Sequence, residues 1–303
     1  MQDCHSLPEH FRTLVGLLTL SALVLPGVRQ ASAAEGDDPP QVDSKVVRCC
    51  VIGGMVRTNL WRDVSALFEQ ETGIKVVVVR TGQRPMLDET FREGKADLLT
   101  MHSGDVTTNL VADGLATNMR PWARNDLVIA GPPSDPAGIR GMENAVEAVK
   151  KIYEAKANWV DSKGMGPREV AHQLFGAAEI VTEGDWFIKD ESGDHLNILN
   201  FAEQHNAYVI VGRSPMVQGK IRNNNMEIMV DQAPEMRRPY IVMEANPALI
   251  PGVNAEGARL LADFLLGEKA QTLLKEHGTD KYGGFHPVVT TPPADEPAAP
   301  ADQ

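Results

Sequence analysis

Val46–Ile52, VVRCCVI, followed by Gly53-Gly54-Met55 and then by Thr58–Glu71, TNLWRDVSALFEQE, is the stretch on which the fold turns. A short apolar run rich in β-branched residues reads as a buried strand. Leu60, Val64, Leu67 and Phe68 then recur at helical spacing, and Gly73 stands where a helix is commonly closed. Strand, glycine turn and helix make a βα unit. Working outward, Lys75–Arg80 is a second strand running into Thr81-Gly82-Gln83. Ala96–Met101 is a third, running into His102-Ser103-Gly104 and a helix over about 106–115. Strands alternating with helices predict an α/β fold with a mainly parallel sheet, in which ligands sit beyond the carboxyl ends of the strands. All three glycine turns fall on that edge.

Further along, Asn125–Gly131 reads as a strand ending in Pro132-Pro133-Ser134-Asp135-Pro136, a crossing between lobes. A helix over 143–155 and a strand over 157–161 lead to Ser162–Phe175, SKGMGPREVAHQLF. Proline is favoured at the start of a helix, so this one is expected to open at Pro167 and to bury Val170, Leu174 and Phe175. A helix N-terminus presents unpaired N–H groups and about half a positive charge, and Lys163 and Arg168 add two cations beside it, which outlines an anion site. The plainer alternative is ordinary Gly-Pro punctuation with both cations solvated. Beyond it come a helix over 196–203, a strand over 207–211 delivering Gly212-Arg213-Ser214, a return strand over 238–245 and a long helix over 255–276. The Pro-, Ala- and acid-rich tail, residues 291–303, is expected to be disordered. With two crossings, residues 46–128 plus 240–290 are expected to form one lobe and 129–239 the other.

The 303-residue chain is 43% hydrophobic with a net charge of −12 and no basic run, which excludes nucleic acid as a partner. Arg12, the apolar stretch Leu14–Val28 and Ala31-Ser32-Ala33-Ala34 form an export leader of about 34 residues, with 35–45 as a linker. Cys4 precedes the apolar stretch, so no lipid anchor is expected and the mature protein should be periplasmic. Cys49 and Cys50 are expected as buried strand thiols, since neither Cys-x-x-Cys nor a disulfide framework occurs.

Met55, Met165 and His102 admit a second chemistry, because thioether and imidazole ligands suit a soft metal such as copper; ordinary core packing is the stronger explanation of the methionines. No Ser-His-Asp order, zincin helix or nucleophile elbow is present, so an enzyme is not expected, nor any cofactor.

TGQ at 81–83, ADLLTMHS at 96–103, NDLVIAGPPSDPAGI at 125–139, AYVIVGRS at 207–214 and RPYIVMEANP at 238–247 together resemble the tungstate-binding protein family. Its members are periplasmic solute receptors of ABC importers with the two-lobed fold of type II binding proteins. The resemblance spans about residues 46–290. It implies a monomer that closes on a small oxyanion, tungstate or molybdate, and delivers it to a membrane permease and its ATPase. The implied ligand residues are Gly53, Gly54 and Thr58 after the first strand, Thr81, Gly82, Gln83 and Arg84 after the second, and Lys163, Gly166, Arg168, Arg213 and Ser214 in the second lobe. Where the family offers a Thr/Ser cluster after the first strand, this chain has Gly53-Gly54-Met55. Where the family has Arg-Gly-Asp-Asp-Ser-Gly-Thr-His, it has Ser162-Lys163-Gly164 and Gly166-Pro167-Arg168 with two residues missing between. Proline for threonine removes a hydroxyl and an N–H together, and lysine for arginine replaces a planar fork by a point charge, leaving Arg84 and Arg168 to compensate.

Overall fold

The apolar residues of Val46–Ile52 commit that strand, β1, to the interior: Val47, Cys49, Cys50 and Val51 are fully buried, and both cysteines are free thiols. The computed structural model describes residues 43–288, so the expected leader and tail and all but the end of the expected linker lie outside the described residues. Strands β2 (Lys75–Gly82) and β3 (Leu98–His102) flank β1, both parallel to it. The expected Gly53-Gly54-Met55 turn is itself one helical turn, α1 (Gly53–Arg57), and the left-handed Asn59 breaks it from α2 (Leu60–Thr72). α2 buries Leu60, Trp61, Val64 and Phe68 and closes at Gly73 as expected, with φ of 71°. Between β2 and β3 the structure adds a helix that the sequence expectation lacks, α3 (Arg84–Arg92), opened by Pro85 and held by Leu87 and Phe91 one turn apart. α4 (Asp105–Ala112) follows β3.

The strand expected over 125–131 is the end of a longer one, β4 (Ala116–Gly131). After it come α5 (Ala145–Glu154), β5 (Asn158–Asp161), α6 (Met165–Ala177), β6 (Phe187–Lys189), α7 (Ile198–Gln204), β7 (Ala207–Gly212), α8 (Arg213–Val217), β8 (Glu227–Val230) and β9 (Arg237–Ala245). The single long helix expected over 255–276 is two, α9 (Ala255–Leu266) and α10 (Glu268–His277), parted at the extended Gly267; β10 (Phe285–Pro287) ends the described chain. The sheet runs β2-β1-β3-β9-β4-β7-β5-β6, with β8 and β10 also on β4. Its flanks are parallel, β1 with β2 and β3, and β5 with β6 and β7, whereas every antiparallel pairing among the described residues involves β4 or β9.

Those two strands run antiparallel from Ala116↔Ala245 to Asp126↔Arg237. Buried apolar side chains gather on either side of that junction. One cluster draws on residues between Val47 and Ala123 and again between Tyr240 and Phe285; two others lie wholly between Leu127 and Met236. In the first, Trp122 Nε1 donates to Thr100 Oγ1 at 2.8 Å, and that hydroxyl donates to the Ile241 carbonyl at 2.8 Å, so a buried polar chain ties β4, β3 and β9. Trp122 meets Trp61 edge-on at 6.4 Å. On the other side Trp159 and Trp186 both pack edge-on against Phe175, at 5.0 and 5.8 Å. Among the described residues no helix is long and apolar enough to cross a membrane.

Candidate functional site

β1, β2, β3 and β5 all deliver their carboxyl ends to one region, through α1, α3, α4 and α6 respectively. Gly104, the N-cap of α4, has φ of 155°, a conformation that glycine adopts freely, and a Cβ there would stand 3.2 Å from Arg84 Nη1. The bare backbone of Gly104 thus leaves room for the Arg84 guanidinium at the head of α3. Arg84, Gly104, Asp105 and Val106 form one wall of a cleft of 460 Å³; Arg168, Glu169 and His172 of α6 form the other.

The helix opposite opens two residues earlier than expected, at Met165 with Gly164 as N-cap, so Pro167 is its third residue. Proline has no N–H, and the Arg168 N–H already bonds Gly164 O, which leaves the Gly166 N–H as a donor without a partner among the described residues. Against Gly166 lies Arg238, from the start of β9. A Cβ at Gly166 would stand 2.1 Å from Arg238 Nη1 and 2.5 Å from its Cζ, so only glycine lets the guanidinium seat there. Arg238 is 8% exposed. Among the described residues Arg57, Arg84 and Arg238 form no ion pair, in contrast to most other arginines.

The electrostatics follow from that crowding. Burial, and then the charge of Arg84, lower the pKa of Arg238, with Tyr240 and Glu169 acting the other way. Burial, then Arg238 and Arg84, hold the His102 imidazole neutral, its pKa well below the usual range. Tyr240 Oη lies 2.7 Å from His102 Nε2, and His102 Nδ1 is buried without a hydrogen-bond partner. Lys220 is close enough to Arg57 for that charge to add to burial in lowering its ammonium. A buried cation without a counter-charge is costly, and Arg238, buried at a helix N-terminus with the half-buried Arg84 nearby, makes a site that an anion completes.

Several of the residues singled out in the sequence meet here. A Cβ at Gly53 would lie 2.7 Å from Arg57 Nη1 and 3.4 Å from Gly82 O, and one at Gly54 would lie 3.7 Å from Tyr240 Oη. Gly53, Gly54, Gly82, Arg84, Gly166 and Arg168 therefore surround the arginine group. Thr81 and Gln83 are exposed at the end of β2 and the N-cap of α3. Others are spent elsewhere. The buried Thr58 hydroxyl donates to Gly54 O at 3.0 Å. Arg168, although it lines the cleft, is paired with Asp161 at 2.8 Å. Lys163 is exposed and directs Nζ to Glu191 O at 3.4 Å. Arg213 is held by both oxygens of Asp231, at 2.9 and 3.1 Å, Asp231 itself lining a different cavity, and Ser214 is buried beside Gly283. The structure thus does not bring Lys163, Arg213 or Ser214 into the cleft. Of the soft-metal candidates, Met55 is fully buried with its sulfur 3.9 Å from Thr100 Oγ1, and His102 is taken by Tyr240. Arg57, Arg238 and Tyr240 are not among the expected ligand residues; the doublet Arg237-Arg238 at the head of a buried strand is a signal for the pair, without saying which member enters the cleft.

The family of bacterial extracellular solute-binding proteins matches the chain over residues 51–280. The tungstate-binding protein TupA of Peptoclostridium acidaminophilum is 32% identical over 223 residues, covering 71% of this chain and 76% of that protein. A putative ABC transporter anion-binding protein of Haloferax volcanii is 29% identical over 239 residues, covering 76% of this chain and 68% of its own length. Among solved structures, the tungstate-binding protein TupA from Desulfovibrio alaskensis G20 superposes with a TM-score of 0.67 at 22% identity, over 81% of this chain and 99% of that one. The tungstate ABC transporter protein from Geobacter sulfurreducens gives a TM-score of 0.61 at 23% identity, over 77% and 99%. At these identities the two structures speak for the fold.

Proposed function

Because this chain belongs to the family of bacterial extracellular solute-binding proteins, we propose that it captures a small oxyanion, tungstate or molybdate, between two lobes and hands it to the membrane permease of an ABC importer. The observation that carries this reading is the buried Arg238 guanidinium lying on Gly166 at the N-terminus of α6, beside Arg84 and in no ion pair among the described residues. Arg84, Arg238 and the N–H group of Gly166 are the anion's donors, and Arg57 with Gly53, Gly54 and Gly82 closes the near side. Residues 46–128 plus 240–290 form one lobe and 129–239 the other, a division supported by the separate apolar clusters on either side of the β4 and β9 junction. The protein acts as an exported periplasmic monomer after losing about 34 residues, does no covalent chemistry, and relies on an ATPase that drives the permease.

Asp105 and Glu169 in the cleft wall support a second reading, an anion that itself carries a proton or hydroxyl for a carboxylate to accept. Calorimetric titration with tungstate, molybdate, sulfate and hydrogen phosphate separates the two. Each charge-assisted donor is worth about 1.5–3 kcal/mol, so Arg238→Ala and Arg84→Ala are expected to weaken binding roughly ten- to a hundredfold, with Arg213→Ala close to wild type. Wild-type affinity in both cleft variants, with loss in Arg213→Ala, refutes the placement; preference for hydrogen phosphate selects the second reading.

A further inference from the structure

The anion donors leave one charged arrangement in the cleft unused. Asp161 ends β5 with its side chain 2% exposed, and its two oxygens face two cationic partners: Oδ2 is 2.8 Å from Arg168 Nη2, and Oδ1 is 3.2 Å from His172 Nε2. Both partners stand on α6 one turn apart, and both line the cleft opposite Arg84. With a neutral imidazole, the carboxylate and Arg168 cancel each other. With a protonated imidazole, one carboxylate serves two cations, and the wall facing the anion gains a full positive charge. We propose that His172 is a proton-linked determinant of anion affinity, so that the cleft takes up a proton on this side chain together with its ligand. This inference rests on the reading of the cleft as an anion site.

The surroundings leave His172 free to respond. Facing it are Asp161 of β5, Arg168 and Glu169 of α6, Arg84 of α3 and Asp105 of α4, with Lys189 on β6 in register with Asp161. Phe187 of β6 meets the imidazole edge-on at 6.1 Å. With Arg238 at the N-terminus of the same helix, four cations stand against three carboxylates, and an arriving dianion tips such a mixed set towards a protonated imidazole. The sign is fixed by linkage: an anion favours the protonated imidazole, so a proton is bound on ligation and affinity rises as pH falls.

Calorimetric titration of the protein with micromolar sodium tungstate or molybdate, from pH 6 to 8 in buffers of unlike ionisation enthalpy, reads proton uptake and affinity together. One added charge several ångströms from the anion at an effective dielectric near 20 predicts binding about three- to thirtyfold tighter at pH 6 than at pH 8. Wild type is expected to take up a fraction of a proton. H172Q, which keeps a polar group beside Asp161 but does not titrate, is expected to lose both the uptake and the slope, and H172K to bind tightly with a flat profile. A flat wild-type profile, or uptake that persists in H172Q, overturns the inference while leaving the anion site standing. Absence of tungstate and molybdate binding at every pH overturns the anion reading and this inference with it.

Discussion

At Gly166 the missing side chain decides the chemistry. The atom that a Cβ would strike is the far end of a long side chain, which can swing away at small cost, and alanine favours a helix by about 1 kcal/mol over glycine. Gly166→Ala is therefore expected to keep or slightly raise thermal stability while expelling Arg238 from its seat and weakening anion binding at least tenfold. A calorimetric affinity unchanged in this variant, with an intact melting transition, would count against the site. What could be read from the sequence divides by the same physics. Gly53, Gly82, Arg84 and Gly166 follow the ends of strands, and strand ends converge by the topology alone. Arg238 was not legible, because which member of the Arg237-Arg238 doublet faces the cleft depends on strand register. In the fold Arg237 turns to Asp126 at 3.3 Å and Arg238 to Gly166. Arg213 misled for the converse reason: its neutralising partner, Asp231, lies in a stretch to which the sequence assigned no element.

Among the elements, α3 escaped the sequence because only Leu87 and Phe91 carry its apolar stripe, whereas Pro85 had marked its start. Gly267 showed the opposite error, since the apolar period continues through it although its extended backbone ends α9. A bond across the chain also matters at this scale. Asp63 on α2 meets Lys281 Nζ at 2.7 Å and Tyr282 Oη at 2.8 Å, which pins the segment before β10 to the first helices. Burial alone would raise this carboxyl, but the hydrogen bonds from Lys281, Tyr282 and Arg62 outweigh it and bring the pKa down to about 2. A depressed carboxyl contributes stability that is present above the unfolded-state value near 3.9 and is lost as pH falls towards 2, here on the order of 2 kcal/mol. Asp63→Asn is expected to lower the melting temperature at pH 7 and to narrow its gap to wild type by pH 2.5. An equal gap at both pH values would show that the carboxylate charge is not what holds the segment.

Over the whole molecule, the sheet's parallel flanks were legible from alternating strands and helices. The long antiparallel pairing of β4 with β9 was not, since no local pattern records which distant strand a strand will join. If the proposed lobes close about these strands, tungstate should reduce the radius of gyration of the wild-type protein in solution scattering, and Arg238→Ala should remain at the unliganded value. Superimposable curves with and without saturating ligand would refute closure.

The tryptophans carry a consequence for optical work. Trp61 and Trp122 form a pair in one apolar cluster, Trp159 and Trp186 share Phe175 on the other side, and none of the four lines the cleft. An oxyanion cannot quench these indoles by contact. A change of emission on ligation therefore signals rearrangement of the scaffold and not occupancy, and single Trp→Phe replacements turn the two pairs into separate gauges of how each half of the protein melts.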